Sequence, residues 1–376
     1  MDEYDLRDVH PCMRGMFHKL SISERMTLRP ISNKENIIGL NLADCYYTYA
    51  FKIRIPYAIS KILKWDIIFN PHDLTFAPDF YFNDKYFDEF LQKFHADDLY
   101  EYVPDWFNWN VNNSESLKSV VGGFILLYKE FQEDKIRMAK SFLLEEYRSI
   151  ASLENYTSGD TELYVEDDSA EFLIALHVQI SQLPAYIQQD DGGIFAYDQK
   201  DYILLGVLFH DLEGKIKTVQ LHLSLNLDHF LGKRKNINIP PYTKPIAQYI
   251  PFTTSLLQRY IDNMTLFLQF KRQFIASLVA LKWKCILEYD SFHFNYIVLL
   301  FEVYGIYIHV KVQIGDFFPF EESQVKVKIA HPLGSIDHQM SFGFKQTSQR
   351  TPNGLAISFL DQLKMFLSNS LRAVAN

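Results

Sequence analysis

The chain has 376 residues, of which 48% are hydrophobic and 22% charged, and its formal net charge is −9. A chain of this length is expected to form two or three domains, and the composition excludes a disordered tail. Ten Asp and Glu residues and no Lys or Arg lie between Arg148 and Lys200. Because such a stretch repels a phosphate backbone, the sequence argues against nucleic acid as a direct ligand. We interpret the stretch as a solvated linker with a turn, the alternative being a docking site for a basic partner.

Three cysteines without paired spacing predict a reducing intracellular compartment. The first ten residues, MDEYDLRDVH, are acidic and lack an apolar core, so we expect no signal peptide. The most apolar window, residues 296–314, contains Glu302 and His309 and alternates like strands, so we expect no membrane span.

The first predicted domain covers residues 1–150 and begins with a short helix or turn at residues 13–20. A first strand is predicted near residues 37–42, and an antiparallel meander of bulky and β-branched segments follows. Asn70 and Pro71 favour a turn and end the pairing between two of its strands. The meander strands are predicted at residues 49–56, 63–69 and 79–82.

An aromatic segment at residues 100–110 is predicted to be irregular. Burial of the indole rings of Trp106 and Trp109 would pin it to the domain, the alternative being a peptide-binding platform. Apolar residues at helical spacing then predict two helices between residues 114 and 147. The Gly122-Gly123 pair inside the first of them indicates a close helix crossing or a bend.

Two further domains are predicted, a degenerate middle unit at residues 151–252 and a last domain at residues 253–376. The middle unit repeats the order of the first domain, with strands followed by a Pro-marked crossover at Pro240-Pro241. A helical pattern of about 30 residues from residue 253 is interpreted as one linking helix or two abutting ones. The predicted strands of these two domains lie at residues 171–180, 202–210, 215–225, 285–289, 296–303, 307–314 and 324–330, before a C-terminal helix at residues 355–371.

The segments KWDIIFN at residues 64–70 and PDFYF at residues 78–82 resemble the first UEV (ubiquitin E2 variant) domain of the BRE family. The resemblance implies an α+β fold of tandem ubiquitin-conjugating-enzyme-like (UEV/RWD-type) domains, each an antiparallel meander with flanking helices. Four later segments carry the same resemblance, YIPF at 249–252, FKRQFIASL at 270–278, LEYD at 287–290 and GDFFPF at 315–320.

The catalytic residue of a conjugating enzyme is missing. Such an enzyme needs a cysteine after the fourth strand, because only a thiolate there can hold ubiquitin as a thioester. The sequence has no cysteine between Cys45 and Cys285 and none after Cys285. The sequence also lacks a His-x-His pair of the kind that the associated zinc protease uses. We therefore predict no catalytic residue, metal or cofactor; residual conjugating activity would require a thioester on one of these two cysteines.

The resemblance implies a non-catalytic scaffold subunit of the BRISC deubiquitinase complex and its nuclear BRCA-A counterpart, in cytoplasm and nucleus. The implied partners are a JAMM metalloprotease, an Abraxas-like subunit and a MERIT subunit of von Willebrand A type. The complex would remove signalling, non-degradative ubiquitin chains. Ubiquitin is a further possible partner, and nucleic acid and membrane are not expected. The alternative function is a free-standing UEV adaptor that binds ubiquitin or Pro-containing peptides.

Exposed aromatic side chains are the candidate contact residues, because truncating an aromatic anchor at an interface costs ~2 kcal/mol or more. The alternative for the later loop is that its aromatic residues fold back over their own sheet. The candidates are Phe76, Trp106 and Phe107 in the first domain and Phe317, Phe318 and Phe320 in the last.

Overall fold

The computed structural model describes residues 8–22, 26–31, 46–184, 201–231, 237–242, 245–303, 305–331, 334–342 and 351–375. Within these ranges the fold is α+β, with antiparallel sheets and flanking helices, which confirms the α+β part of the prediction; the tandem UEV/RWD-type domains remain a prediction. The chain divides into two compact units, and the division at residues 150 and 252 remains a prediction. Unit 1 comprises Met1–Val178, Gln188–Leu227 and Asn238–Thr254, and unit 2 comprises Gln179–Ile187, Asp228–Ile237 and Ser255–Asn376.

The first sheet of unit 1 is an antiparallel meander in the order β1-β2-β3-β4, formed by β1 (Thr27–Pro30), β2 (Ala50–Tyr57), β3 (Lys61–Ile68) and β4 (Asp79–Tyr81). Alternate side chains of β2 and β3 face the core, where Ile53 and Trp65 are buried. The three predicted meander strands are confirmed to within two residues. The strand predicted near residues 37–42 lies outside the described residues.

Six helices accompany this sheet in the described part of unit 1: α1 (Pro11–Ile22), α2 (Lys85–Leu91), α3 (Ala96–Tyr102), α4 (Pro104–Phe107), α5 (Ser116–Met138) and α6 (Leu143–Ala151). The prediction of an irregular segment at residues 100–110 was wrong. Pro104 occupies the start of α4, where a missing backbone N–H breaks no helical hydrogen bond. The predicted close crossing is confirmed, because a Cβ on Gly123 would lie 2.3 Å from the Tyr102 carbonyl oxygen.

The second sheet of unit 1 has the order β5-β6-β7-β8 and is formed by β5 (Thr161–Glu166), β6 (Ser169–Ala175), β7 (Ile203–Phe209) and β8 (Ile216–Leu223). A short helix, α7 (Leu225–Phe230), follows this sheet in the chain. The interpretation of the acidic stretch as a linker was wrong for β5. Glu162 on this strand is fully buried, and its Oε2 accepts a 2.7 Å hydrogen bond from the Ala58 backbone N–H. The acidic residue that looked solvated therefore closes the turn between β2 and β3.

The outer edge of β5 is occupied by side chains from the rest of unit 1. The buried Tyr57 hydroxyl donates to the Leu163 carbonyl at 2.9 Å, and burial raises the pKa of Tyr57 well above its usual value, so the donor proton is retained. The side-chain oxygen of Gln132 on α5 accepts from the Val165 N–H at 2.9 Å, and the Lys135 ammonium donates to the Val165 carbonyl. These three contacts hold β5 against α5 and β2.

Unit 2 contains most of the long helix α8 (Ile246–Lys282) and the C-terminal helix α9 (Pro352–Ala375). Its sheet has the order β13-β12-β11-β10-β9 and is formed by β9 (Ile286–Tyr289), β10 (Tyr296–Val303), β11 (Ile306–Gln313), β12 (Ser323–His331) and β13 (Gly334–Phe342). Residues 246–282 form one helix rather than two. The C-terminal helix is confirmed, whereas β13 was not predicted. One face of the sheet packs on α8 and α9, burying residues such as Phe274, Val310 and Phe359.

Candidate functional site

The candidate contact residues of unit 1 lie around the loop between β3 and β4. Trp106 is half-buried, and its indole N–H donates to the Pro78 carbonyl at 3.0 Å. Trp109 does the same to the Leu74 carbonyl at 3.1 Å. The two indoles thus hold the loop on either side of Phe76, whose side chain is 62% exposed. The geometry supports the prediction that the tryptophans pin this segment to the domain.

Phe107 extends this aromatic surface, which we call the unit 1 surface (Phe76, Trp106 and Phe107). Its ring lies edge-on to Trp106 at a centroid distance of 5.5 Å and is 44% exposed. The neighbouring helix α3 is acidic, with Asp97 and Glu101 exposed one helical turn apart. Like charges at this spacing disfavour a helix by a few tenths of a kcal/mol, so a basic group bound between them would relieve the repulsion.

The candidate residues of unit 2 separate into two kinds. Phe317 and Phe320 are 38% and 70% exposed, and each ring lies 5.9 Å from the ring of Phe267 on α8. We call these three residues the Phe267 surface. Phe318 is fully buried, with its ring 4.9 Å from Phe274 in the core. Phe318 therefore follows the alternative of folding back over the sheet, and the surface available to a partner is carried by Phe317 and Phe320.

The loop that carries the Phe267 surface is fixed by a hydrogen bond of its own. The Phe317 backbone N–H donates to Glu321 Oε2 at 3.0 Å, and Gly315 packs against the same carboxyl group. A Cβ at Gly315 would lie 2.5 Å from Glu321 Cδ, so a larger residue at this point would displace the carboxyl group that accepts from Phe317. The exposed phenyl rings are thus presented by an ordered turn.

A pocket in unit 2 was missed by sequence reasoning. Lys271 on α8 is 4% exposed and lines this pocket with His229, His293, Asn295 and Asp316. A signal for it existed in the sequence. Lys271 lies on the apolar stripe that includes Met264, Leu268 and Ile275, where a charged residue is unusual because burying an ammonium is costly.

The cysteines differ in their exposure. Cys12 is exposed, Cys285 is half-buried, and Cys45 lies outside the described residues. Among the described residues, no group of three His, Cys, Asp or Glu side chains is arranged to hold a metal ion. No helix in the same residues is long and apolar enough to cross a membrane.

The fold defines an α+β protein of antiparallel sheets, and its exposed aromatic clusters are of the kind enriched at protein interfaces. The family model described as Brain and reproductive organ-expressed protein (BRE) matches residues 16–331. This match covers more than half of the chain, so the chain belongs to the BRE family, as the sequence motifs indicated.

Two relatives carry the name BRISC and BRCA1-A complex member 2. The protein from Branchiostoma floridae is 26% identical over 328 residues, which cover 84% of this chain and 81% of the relative. The protein from Danio rerio is 30% identical over 285 residues, which cover 72% of this chain and 69% of the relative.

Proposed function

We propose that the chain is a non-catalytic scaffold subunit of a deubiquitinase complex of the BRISC and BRCA-A type. The observation that carries this proposal is membership of the BRE family, together with relatives named as members of these complexes. The chain bridges a JAMM metalloprotease and an Abraxas-like subunit to a MERIT subunit, in cytoplasm and nucleus. The metalloprotease, rather than this chain, removes the signalling ubiquitin chains.

The proposed architecture is a tandem series of UEV-type domains. The meander β1 to β4 followed by helices, the meander β5 to β8, and the sheet β9 to β13 with its C-terminal helix support it. The sequence between Cys45 and Cys285 contains no cysteine that could form a thioester. Without that nucleophile, a conjugating-type fold offers surfaces for binding.

The unit 1 surface and the Phe267 surface are the proposed partner contacts. Phe76 and Phe320 are the most exposed rings of the two surfaces, and aromatic anchors dominate binding energy at many interfaces. Ordered segments present both rings, so binding costs little loop entropy.

The first test is affinity purification of the full-length chain from native cells, with mass spectrometry and a ubiquitin-chain cleavage assay on the eluate. We expect a JAMM metalloprotease and an Abraxas-like protein to co-purify and the cleavage to be abolished by a zinc chelator. A chain that elutes without either protein and without cleavage activity would contradict the proposal and would favour the free-standing adaptor.

The second test uses matched surface variants of the full-length chain. Phe320→Ala should weaken capture of one partner about 30-fold, the equivalent of ~2 kcal/mol. Phe292→Ala is the control in unit 2, because Phe292 is 68% exposed and lies outside the proposed surface. In unit 1, Phe76→Ala is compared with Tyr86→Ala, since Tyr86 is 72% exposed. Equal capture by each variant and its control would remove these surfaces from the proposal.

A further inference from the structure

Unit 2 contains a pocket with a cavity volume of about 280 Å³ whose polar lining has no role in the proposed scaffold function. This volume is far more than the ~30 Å³ that one water molecule occupies and is close to the lower limit of small-molecule sites. Phe230, Met264 and Leu268 form the apolar walls, and the polar lining is His229, Lys271, His293, Asn295 and Asp316.

Lys271 is the central polar group of the pocket. Its ammonium donates to Asn295 Oδ1 at 2.9 Å and lies 3.6 Å from Asp316 Oδ1. An ammonium has three donors, and its acceptors among the described residues are this neutral amide and the more distant Asp316 carboxylate, so it has fewer close acceptors there than donors. Burial lowers the pKa of Lys271, although the carboxylates of Asp316, Glu321 and Asp290 attract its charge. These carboxylates therefore do not fully offset the cost of burying the ammonium.

The three nearby carboxylates do not complete this coordination. Asp290 accepts from the backbone N–H groups of Phe292, His293 and Asn295 at 3.0 to 3.2 Å. Glu321 accepts from the Phe317 N–H. Of these three carboxylates, Asp316 lines the pocket, and its side chain is 59% exposed, so it can move into solvent.

Two imidazoles line the same pocket as the ammonium. The rings of His229 and His293 have centroids 5.1 Å apart, and both line the pocket. Each imidazole supplies at least one N–H donor, whichever tautomer it adopts. The pocket therefore offers an acceptor group two kinds of donor, the Lys271 ammonium and the ring N–H of His229.

We propose that this pocket binds a carboxylate group. One carboxylate oxygen accepts from Lys271 Nζ in place of Asp316, the other accepts from an imidazole N–H, and the carbon chain of the ligand packs on the apolar walls. The carboxylate belongs either to a free small organic acid or to an acidic side chain of a partner segment that lies on the Phe267 surface. The second source rests on the proposed function, and the first does not.

The test is isothermal titration of the full-length chain with sodium malonate at constant ionic strength, with sodium chloride as the reference for nonspecific anion effects. Lys271→Met retains the length of the side chain without its charge and should weaken malonate binding at least tenfold. Lys282→Met is the matched control, because Lys282 is exposed at the end of the same helix. Replacing a buried charge by an apolar side chain of similar size is often neutral or stabilising, so the variant is expected to fold.

His229→Phe provides an independent variant that leaves Lys271 in place, and it should also weaken malonate binding. No saturable binding of malonate by the unmodified chain, or equal binding by both lysine variants, would overturn the proposal. The source of the carboxylate is then identified with N-acetyl-Phe-Glu-amide. If a partner segment supplies it, this peptide binds more tightly than malonate, and Phe320→Ala removes the advantage without changing the malonate affinity. If a free acid supplies it, Phe320→Ala changes neither affinity.

Discussion

Phe318→Ala is expected to destabilise unit 2, whereas Phe320→Ala, two residues away in the same loop, is not. Phe318 is fully buried, and its ring packs on Phe274 and Phe270 at 4.9 and 5.7 Å. Truncation removes a whole phenyl ring from the core and leaves a cavity, at a cost of about 3 to 5 kcal/mol. Phe320 is 70% exposed, and surface substitutions of this kind usually change the free energy of unfolding by about 0.5 kcal/mol or less.

The assay is hydrogen-deuterium exchange of the full-length chain, read from peptides that cover β10 to β12. A loss of about 3 kcal/mol corresponds to roughly a hundredfold faster exchange by global opening of the sheet. Phe320→Ala should leave the exchange rates of the same peptides unchanged. If Phe318→Ala also exchanged at the original rate, the phenyl ring would not be part of the core, and the assignment of Phe318 to the interior would be refuted.

Two further perturbations test unit 1. Gly123→Ala should lower the melting temperature, because its Cβ would lie 2.3 Å from the Tyr102 carbonyl oxygen. Gly15→Ala is the control and should raise the free energy of unfolding by up to about 1 kcal/mol, because its Cβ would meet its nearest neighbour at an ordinary 3.6 Å. Equal melting temperatures of the two variants would contradict the close crossing. Asp160→Asn should destabilise the chain by about 1 to 3 kcal/mol at pH 7, since Asp160 Oδ1 lies 2.8 Å from His177 Nε2. Burial alone would raise the pKa of Asp160, but hydrogen bonds from His177 and Thr157 lower it below the usual range. The stabilisation by the ionised Asp160 is therefore present above about pH 4 and is lost as the pH falls through the lowered pKa. Urea unfolding at pH 7 and pH 3 should show a smaller difference between the unmodified chain and the Asp160→Asn variant at the lower pH, and an equal difference would contradict the assignment.

The strand that sequence reasoning located best is one that is rich in apolar residues. The strand β10 was predicted at its exact bounds, because apolar residues are dense along it and a turn precedes it. The strand β5 was missed because it lies within the acidic stretch between Arg148 and Lys200, which was interpreted as a linker. The burial of Glu162 depends on the Ala58 N–H, more than a hundred residues away, and no local pattern contains that information.

The candidate contact residues were predicted in part from the sequence. Large aromatic residues in loops marked Phe76 and Phe320 correctly as exposed, yet the same composition placed Phe318 beside them. Adjacent loop residues differ in burial according to the backbone path, which the sequence does not determine locally. Lys271 was not singled out from the sequence, although its position on the apolar stripe of α8 was an informative feature.

The occupied edge of β5 limits how this protein can assemble with others. An open sheet edge accepts an additional strand from another chain, which is a common mode both of peptide recognition and of aggregation. On β5 the Leu163 carbonyl and both backbone groups of Val165 already bond to side chains of Tyr57, Gln132 and Lys135. A partner therefore cannot extend this sheet by strand addition at β5, and loss of the Gln132 and Lys135 side chains would expose an edge that favours self-association.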